Sequence, residues 1–305
     1  MRREATRYAL GGDVSELGGR TTAGMSDRAE GVVLVDGRPV DAALPLRAVC
    51  YGEGVFETMR TAAGGGLPRL MGRHMERLLE GCRVLGIPAP LPSDVEAMVV
   101  EALRQARLPE ARIKVAVLAA GVSVPFHAAP RSATVLVQVV PLEPHRPDPP
   151  RLALTVSPYP HPAPSALTRI KHLNYLLNVL AAREARRRGY DEALLLGPGG
   201  EVVEGSYTNV FWFQGDVLYA PSPECGALPG ITRSVVLGCA SACGIEVREG
   251  VWGLDAFHSC DGAFVTNSVL GVVPVGRVEG RALPEHRLVA PVRRWVLEEL
   301  GWGEE

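Results

Sequence analysis

The sequence predicts an α+β fold in two domains, and three observations support that prediction. Strand-like apolar runs mix irregularly with amphipathic helices, without the regular strand–helix repeat of a doubly wound sheet. The length of 305 residues suits one large domain or two ordinary ones. Five prolines between residues 141 and 150 prevent a helix or a central strand from continuing there. We therefore expect a flexible extension over 1–28, a small N-terminal α+β domain over 29–141, a Pro-rich linker over 142–150 and a larger domain over 151–305.

The composition indicates a soluble globular protein. Hydrophobic residues make up 47% of the chain, charged residues 22%, and the net charge is −2. No apolar run approaches the roughly 18 residues needed to cross a bilayer, and the N-terminus shows no apolar leader segment, so we expect a cytoplasmic protein. The near-zero charge argues against a nucleic-acid partner. The six cysteines are scattered without a Cys-x-x-Cys pair, which predicts reduced thiols and no metal site.

Apolar spacing and turn residues place the elements of the first domain. We predict a hairpin with an Asp-Gly turn over 31–40, a strand over 55–60, a glycine turn at 64–66, helices over 71–86 and 93–107, and strands over 112–119 and 133–140.

The second domain is predicted in the same way. Its strands are expected over 151–157, 191–196, 201–203, 208–213, 217–219, 245–248, 263–266 and 272–275. Its helices are expected over 172–188, 231–243, 254–259 and from 284 onward.

Lysine is rare in this chain. Of the 32 basic residues only Lys114 and Lys171 are lysines. Because arginine supplies the ordinary positive charges, a retained lysine suggests chemistry that guanidinium cannot perform, such as attack of a neutral amine on a carbonyl. Lys171 precedes an apolar helix face that we expect to exclude water from its amine, and a plain surface lysine is the alternative reading. Lys114 alternates with apolar strand residues, so we expect it to point outward in a structural role.

Two further features of the sequence become informative when they are considered together with Lys171. Glu204 follows an apolar pair and precedes a second apolar strand, and the segment 228–234 opens a helix just after a glycine. Each alone is more often structural. A Schiff-base lysine, a carboxylate for a ring nitrogen and a helix start for a phosphate are together what pyridoxal 5′-phosphate requires.

At these positions the chain resembles the class IV aminotransferases, the fold-type IV pyridoxal-phosphate enzymes, over about four fifths of its length, from Gly31 to Arg277. The resemblance rests on six ordered motifs. They are YGEGVFETMR (51–60), HMERL (74–78), KHLNY (171–175), EGSYTNVF (204–211), GITR (230–233) and TNS (266–268).

The resemblance implies a role for each matching residue. Lys171 would be the catalytic Schiff-base lysine, Glu204 the partner of the pyridine nitrogen and Arg77 a phosphate-binding arginine. Backbone N–H groups of Ile231 and Thr232, with Asn267 and Ser268, would complete the phosphate site. Tyr175 would reach the ring oxygen of the cofactor, although some relatives place this tyrosine one residue further from the lysine. The family also implies a small-molecule amino substrate and a homodimer with its active sites near the interface.

Several activities occur in this family. Ala120 stands where D-amino-acid aminotransferases carry an arginine, and the segments 171–174 and 266–274 look more like 4-amino-4-deoxychorismate lyase. We therefore expect the lyase, with an aminotransferase for branched-chain or other amino acids as the alternative and a non-catalytic relative as a remote third. Arg60 and Arg112 are both open as ligands of the substrate carboxylate.

Overall fold

The computed structural model describes residues 45–120, 127–146 and 148–303, together with the backbone of four two-residue strands nearer the N-terminus. These are β1 (Tyr8–Ala9), β2 (Glu30–Gly31), β3 (Leu34–Val35) and β4 (Arg38–Pro39). β1 pairs antiparallel with β2, and β3 with β4. The β3–β4 pair agrees with the predicted hairpin, whose Asp-Gly turn lies outside the described residues. Most of the predicted extension over 1–28 also lies outside them.

A three-stranded antiparallel sheet forms the first structural layer, in the order β5-β6-β7. The elements of this layer, in chain order, are α1 (Leu46–Tyr51), β5 (Gly54–Arg60), α2 (Met71–Leu85), α3 (Pro92–Ala106), β6 (Ala111–Ala120) and β7 (Ser132–Pro141). Because side chains alternate along a strand, Val55 and Met59 pack against α2 and α3, whereas Phe56 and Thr58 face the opposite side. That opposite side becomes one wall of the candidate site.

Helix α3 begins slightly earlier than predicted. Pro92 occupies its first turn and Leu91 precedes it, so Ser93, the first residue of the predicted helix, lies inside the helix. Proline suits the first helical position because its missing N–H would have no partner there anyway. The predicted turn at 64–66 is present as one 3-10 turn over Ala63–Gly65.

The second layer is a mixed nine-stranded sheet in the order β10-β9-β8-β15-β14-β11-β12-β13, with β16 beside β15. Its strands are β8 (Leu152–Val156), β9 (Glu192–Leu196), β10 (Val202–Gly205), β11 (Asn209–Gln214), β12 (Val217–Pro221), β13 (Val247–Gly250), β14 (Gly262–Asn267), β15 (Gly271–Val278) and β16 (Arg281–Ala282). The helices are α4 (Leu176–Arg187), α5 (Ile231–Ala242), α6 (Leu254–His258) and α7 (Val289–Leu300).

Both faces of the central strand β11 are covered. Phe211 and Phe213 pack with α5 and α7, whereas Trp212 packs with Tyr219 and Phe257 on the other face. Strands and helices therefore form one mixed architecture, and the predicted α+β fold class is confirmed. No helix in the described part of the chain is long and apolar enough to cross a membrane.

The two sheets are joined at Lys171. The Phe56 amide donates to Lys171 O at 2.8 Å, and the Leu173 amide donates to Gly54 O at 3.0 Å. These residues extend along β5, so α4 begins at Leu176 and not at the predicted residue 172. The helix starts late because its first predicted turn is used for pairing with a strand more than a hundred residues away.

Candidate active site

A cavity of about 640 Å³ lies between the two sheets, and it is lined by all eight residues to which the family resemblance gives a catalytic or cofactor-binding role. They come from five separate parts of the fold. These are α2 (Arg77), the segment before α4 (Lys171 and Tyr175), β10 (Glu204), the start of α5 (Ile231 and Thr232) and the end of β14 (Asn267 and Ser268).

The amine of Lys171 lies against aromatic side chains. Its Nζ donates to the Tyr175 hydroxyl at 3.0 Å and sits 4.7 Å from the ring centre of Phe56 and 4.8 Å from that of Tyr175. Leu176 on α4 is 67% exposed and does not cover the amine, whereas Leu173 and Val179 line the same cavity as Lys171. The rings of Phe56 and Tyr175 contact the amine directly, and the bonds to β5 hold its backbone in place.

Glu204 is a buried acceptor at the end of β10. Its Oε2 accepts from the Leu228 amide at 2.9 Å and from Asn209 Nδ2 at 3.3 Å. Its Oε1 lies 3.5 Å from Nε2 of His161. Both donors lie on Oε2, so Oε1 remains able to accept from the N–H of a bound partner.

The start of α5 forms an end of the cavity suited to an anion. No described side chain caps this helix, whose first residues are Ile231 and Thr232, so its first N–H groups have no partner within the helix. The hydroxyls of Thr232 and Ser268 lie 3.2 Å apart beside it. Gly230 must be glycine, because an added Cβ would lie 2.0 Å from Asn209 Oδ1. Helix N-termini with nearby hydroxyls bind phosphate readily.

Arg77 is held by a buried carboxylate. Its Nε and Nη2 donate to the two oxygens of Glu57 at 2.7 Å each, and its Nη1 donates to Pro229 O at 3.0 Å. Since guanidinium has five N–H groups, two remain for a ligand in the cavity. Burial acts to raise the pKa of Glu57, but the charge and hydrogen bonds of Arg77 and His74 outweigh it and lower the pKa to about 2.

Lys114 belongs to the cavity wall, so the expectation that it points outward was wrong. Its Nζ lies 4.6 Å from the ring centre of Phe56, the same ring that Lys171 contacts. Burial, and then the charges of Arg112 and Lys171, lower the pKa of Lys114. Strand alternation does place Lys114 opposite the helix-packed face, but the second sheet covers that side. Arg112, two residues earlier, lines the same wall.

Arg60 does not reach the cavity, although it was one of the two candidates for the substrate carboxylate. It is buried, and its guanidinium donates to the Glu110 carboxylate, to Glu143 O at 2.6 Å and to Val269 O at 3.4 Å. Its amide also donates to Ser268 O at 3.1 Å. Arg60 therefore ties the first sheet to the loop after β14, and Arg112 is the candidate that remains.

Asn267 and Glu192 accept hydrogen bonds that hold two turns of the cavity wall in place. The Asn267 Oδ1 accepts from the amides of Val269 and Leu270 at 2.9 and 2.8 Å, so its side chain closes the turn that presents Ser268. Glu192 is buried beneath the turn after Glu204, where its Oε2 accepts from the Thr208 hydroxyl at 2.9 Å. Burial raises the pKa of Glu192 to about 7 in spite of several hydrogen bonds.

The sequence did not single out His161, Asn209 or Glu192. Asn209 lies inside the motif at 204–211, so its position five residues after Glu204 was the available signal. His161 and Glu192 had none, because their contacts join segments far apart in the chain. Ala120 is buried at the end of β6 away from the cavity wall, and residues 121–126 after it lie outside the described residues.

The chain is similar to known proteins in both sequence and fold. Residues 54–278 match the family described as amino-transferase class IV. The chain is 34% identical over 253 residues to a protein of Methanocaldococcus jannaschii named provisionally as a branched-chain-amino-acid aminotransferase, covering 82% of this chain and 86% of that protein. It is 32% identical over 233 residues to the aminodeoxychorismate lyase of Bacillus subtilis, covering 75% and 78%. The branched-chain aminotransferase of the archaeon Thermoproteus uzoniensis, solved with norvaline, superposes with a TM-score of 0.76 at 28% identity over 88% of this chain and 94% of that one.

Proposed function

Because this chain belongs to the class IV aminotransferase family of pyridoxal 5′-phosphate enzymes, we propose that it converts 4-amino-4-deoxychorismate to 4-aminobenzoate and pyruvate, a step of folate biosynthesis. The family accounts for the enzyme class and for the cofactor. Branched-chain aminotransferases and an aminodeoxychorismate lyase are both among its relatives, so the reaction has to be argued from the cavity.

The cavity suits the cofactor at each of its reactive ends. Pyridoxal 5′-phosphate supplies an aldehyde that forms an imine with an amine and a protonated ring that withdraws electrons from the adjoining carbon. We assign the amine to Lys171, the ring-nitrogen partner to Glu204 and the ring-oxygen contact to Tyr175. The phosphate is assigned to the first N–H groups of α5 with Thr232, Ser268 and the two remaining N–H groups of Arg77, while Asn267 shapes the turn that carries Ser268.

Lys171 then acts as the base. With the cofactor bound, the amine of Lys171 would take the proton from the substrate carbon that bears the amino group. In the lyase reaction the bond from the neighbouring ring carbon to the enolpyruvyl oxygen breaks, and Lys171 can return a proton to the departing pyruvate. Atoms and electrons balance without an oxidant, and formation of the aromatic ring drives the reaction.

Arg112 and Lys114 form a cationic wall of the cavity, and this wall is our reason for preferring one substrate over the other. Among the described residues that line the cavity, Glu204 is the only carboxylic acid. These two cations have no acidic residue beside them in the described cavity lining, so they suit a substrate that has carboxylates as well as an amine. 4-Amino-4-deoxychorismate has two carboxylates, whereas a branched-chain amino acid has one and requires an apolar side-chain site.

An aminotransferase is the second candidate, and the cavity contains an observation in its favour. Leu173, Val179, Val269 and Leu270 line it near Lys171 and could hold an aliphatic side chain. In that reaction Arg112 and Lys114 would bind the distal carboxylate of 2-oxoglutarate.

We also propose a cytoplasmic homodimer. On α4, Leu176, Val179 and Leu180 are 67%, 39% and 36% exposed, and Tyr207 on the rim of the cavity is 42% exposed. A second copy of the chain would cover this apolar surface. The six cysteines are unpaired, as a reducing compartment favours.

A paired assay on the purified, cofactor-loaded protein tests the reaction. One arm supplies 4-amino-4-deoxychorismate, generated in place by its synthase, and measures 4-aminobenzoate. The other supplies branched-chain and D-amino acids with 2-oxoglutarate and measures glutamate. We expect aminobenzoate without glutamate. Glutamate without aminobenzoate would make the protein an aminotransferase and assign the cationic wall to the keto acid.

A further inference from the structure

The side chain of Asn209 links the carboxylate assigned to the ring nitrogen with the chain that leads into α5. Asn209 is the first residue of β11 and is buried. Its Nδ2 donates to Leu228 O at 2.9 Å and to Glu204 Oε2 at 3.3 Å, which uses both of its N–H groups. The Leu228 amide donates to the same Glu204 oxygen at 2.9 Å. The three residues therefore form a closed ring of hydrogen bonds.

The segment 228–230 also contacts residues at the phosphate end of the cavity. Arg77 Nη1 donates to Pro229 O at 3.0 Å. Gly230 directly precedes the first residue of α5, and Asn209 lies tightly against it, since an added Cβ on Gly230 would lie 2.0 Å from Asn209 Oδ1. One short segment is thus held by residues assigned to both ends of the cofactor.

The distance between these two ends matters for binding. The ring nitrogen and the phosphate of pyridoxal 5′-phosphate are joined by a rigid ring and a short arm, so their separation varies little. A ligand that binds two sites at once gains affinity only when the spacing of the sites matches its own. Without the Asn209 amide, Leu228 O would lose this donor, and Glu204 would be joined to the segment 228–230 by the single bond from the Leu228 amide.

We propose that Asn209 is a positioning residue that sets the spacing between the ring end and the phosphate end of the cofactor site. Its amide holds Glu204 against Leu228, and its contact with Gly230 fixes the entry into α5. Glu204 and the first N–H groups of α5 can then bind the two ends of one cofactor molecule without rearrangement. This inference rests on the proposed assignment of Glu204 and α5 to the cofactor.

Binding of three ligands to the cofactor-free full-length protein tests this role. They are pyridoxal 5′-phosphate, which spans both ends, pyridoxal, which lacks the phosphate, and inorganic phosphate, and each is titrated by calorimetry. Asn209→Leu keeps the number and branching of the side-chain heavy atoms but has no donor. It should weaken pyridoxal 5′-phosphate by about 10-fold or more beyond its effect on pyridoxal. The affinity for inorganic phosphate should be unchanged.

Gln214→Leu is the matched control. Gln214 ends the same strand, and its Nε2 donates to Ala256 O at 3.1 Å, away from the cavity. This variant removes an amide donor in the same way and should match wild type for all three ligands.

Equal weakening of pyridoxal and pyridoxal 5′-phosphate in Asn209→Leu would overturn the inference, because Asn209 would then support Glu204 alone. Unchanged binding of all three ligands would overturn it too, and so would an equal loss for inorganic phosphate. Should Asn209→Leu not fold, Gly230→Ala gives a second test, because the added methyl group would displace the Asn209 side chain. It should show the same selective loss, and its absence would refute the proposal.

The wild-type protein separates this inference from the proposed function. A wild type that binds pyridoxal 5′-phosphate without the absorption band of the lysine-bound cofactor would refute the cofactor site. A normal band, with pyridoxal and pyridoxal 5′-phosphate weakened equally in Asn209→Leu, would refute only the role of Asn209. The binding experiments contain no substrate, so they do not depend on which reaction the paired assay identifies.

Discussion

Glu57 and Arg77 share two hydrogen bonds of 2.7 Å, which fix the guanidinium plane before any ligand arrives. The carboxylate is buried in strand β5, and His74 makes a third contact with it at 2.7 Å. Arg77 therefore presents its free edge to the cavity from a rigid base. A preorganised cation of this kind binds a phosphate at a smaller entropic cost than a mobile side chain would.

This ion pair predicts acid sensitivity. The pKa of Glu57 in the folded protein is about 2, below the ordinary value of 4.5, so its contribution to stability is complete above about pH 4.5 and is lost as the pH falls toward 2. The difference corresponds to about 3 kcal/mol in the free energy of unfolding. Glu57→Gln should therefore be less stable than wild type at pH 7 and should lose less stability on acidification.

Urea unfolding at pH 7 and pH 3 measures this difference. Glu80→Gln is the matched control, because Glu80 lies on α2, the helix of Arg77, in an exposed pair with Arg83. It should follow wild type at both pH values. If Glu57→Gln and wild type lost equal stability between pH 7 and pH 3, the buried pair would not be the cause.

Lys171 should be essential for both the chromophore and turnover. Lys171→Ala removes the amine, and Lys171→Arg keeps the positive charge but cannot form an imine or give up its proton. Both variants should lose the visible band and its shift on borohydride reduction, and activity should fall by at least about 100-fold. Absorption spectra and initial rates check this, and a fully active Lys171→Arg protein would contradict the assignment.

Lys114 should determine affinity for the substrate and not the rate of the proton transfer. A charge-assisted hydrogen bond to a carboxylate contributes about 1.5–3 kcal/mol, so Lys114→Met should raise KM by about 10- to 100-fold with kcat nearly unchanged. Lys114→Arg keeps a cation at this position and should restore most of the affinity. Steady-state kinetics with the substrate identified by the paired assay decides. An unchanged KM in Lys114→Met would show that the carboxylates bind elsewhere.

Arg60 should be structural. Arg60→Met leaves Glu110 without its ion-pair partner and removes the bonds to Glu143 and Val269, so the free energy of unfolding should fall by about 2–4 kcal/mol. Arg60→Lys should recover part of this loss. Arg104→Met, which removes an exposed arginine paired within α3, should leave stability unchanged. Denaturant unfolding measures all three, and a weakened KM without loss of stability in Arg60→Met would return Arg60 to the substrate site.

Local sequence information was sufficient to name the residues that the cavity brings together. Lys171, Glu204 and the start of α5 are each more often structural when taken alone, and it was their order within the family motifs that predicted a common site. Strand and helix periodicity also predicted most elements to within a few residues, since it depends on which side chains face an apolar layer.

Contacts between distant segments were decided only by the tertiary structure. Helix α4 starts at Leu176 because the backbone of Lys171 and Leu173 pairs with β5, and no pattern near residue 172 reports that pairing. Alternation showed that Lys114 points away from the helices, but it could not show that a second sheet covers that side. The ion pair of Arg60 with Glu110 and the contact of His161 with Glu204 likewise join residues 50 and 43 positions apart. The sequence thus predicted eight residues of the cavity lining, and packing of the two sheets decided that Lys114 joins them and which side chains meet, because such pairings depend on the whole core and not on neighbouring residues.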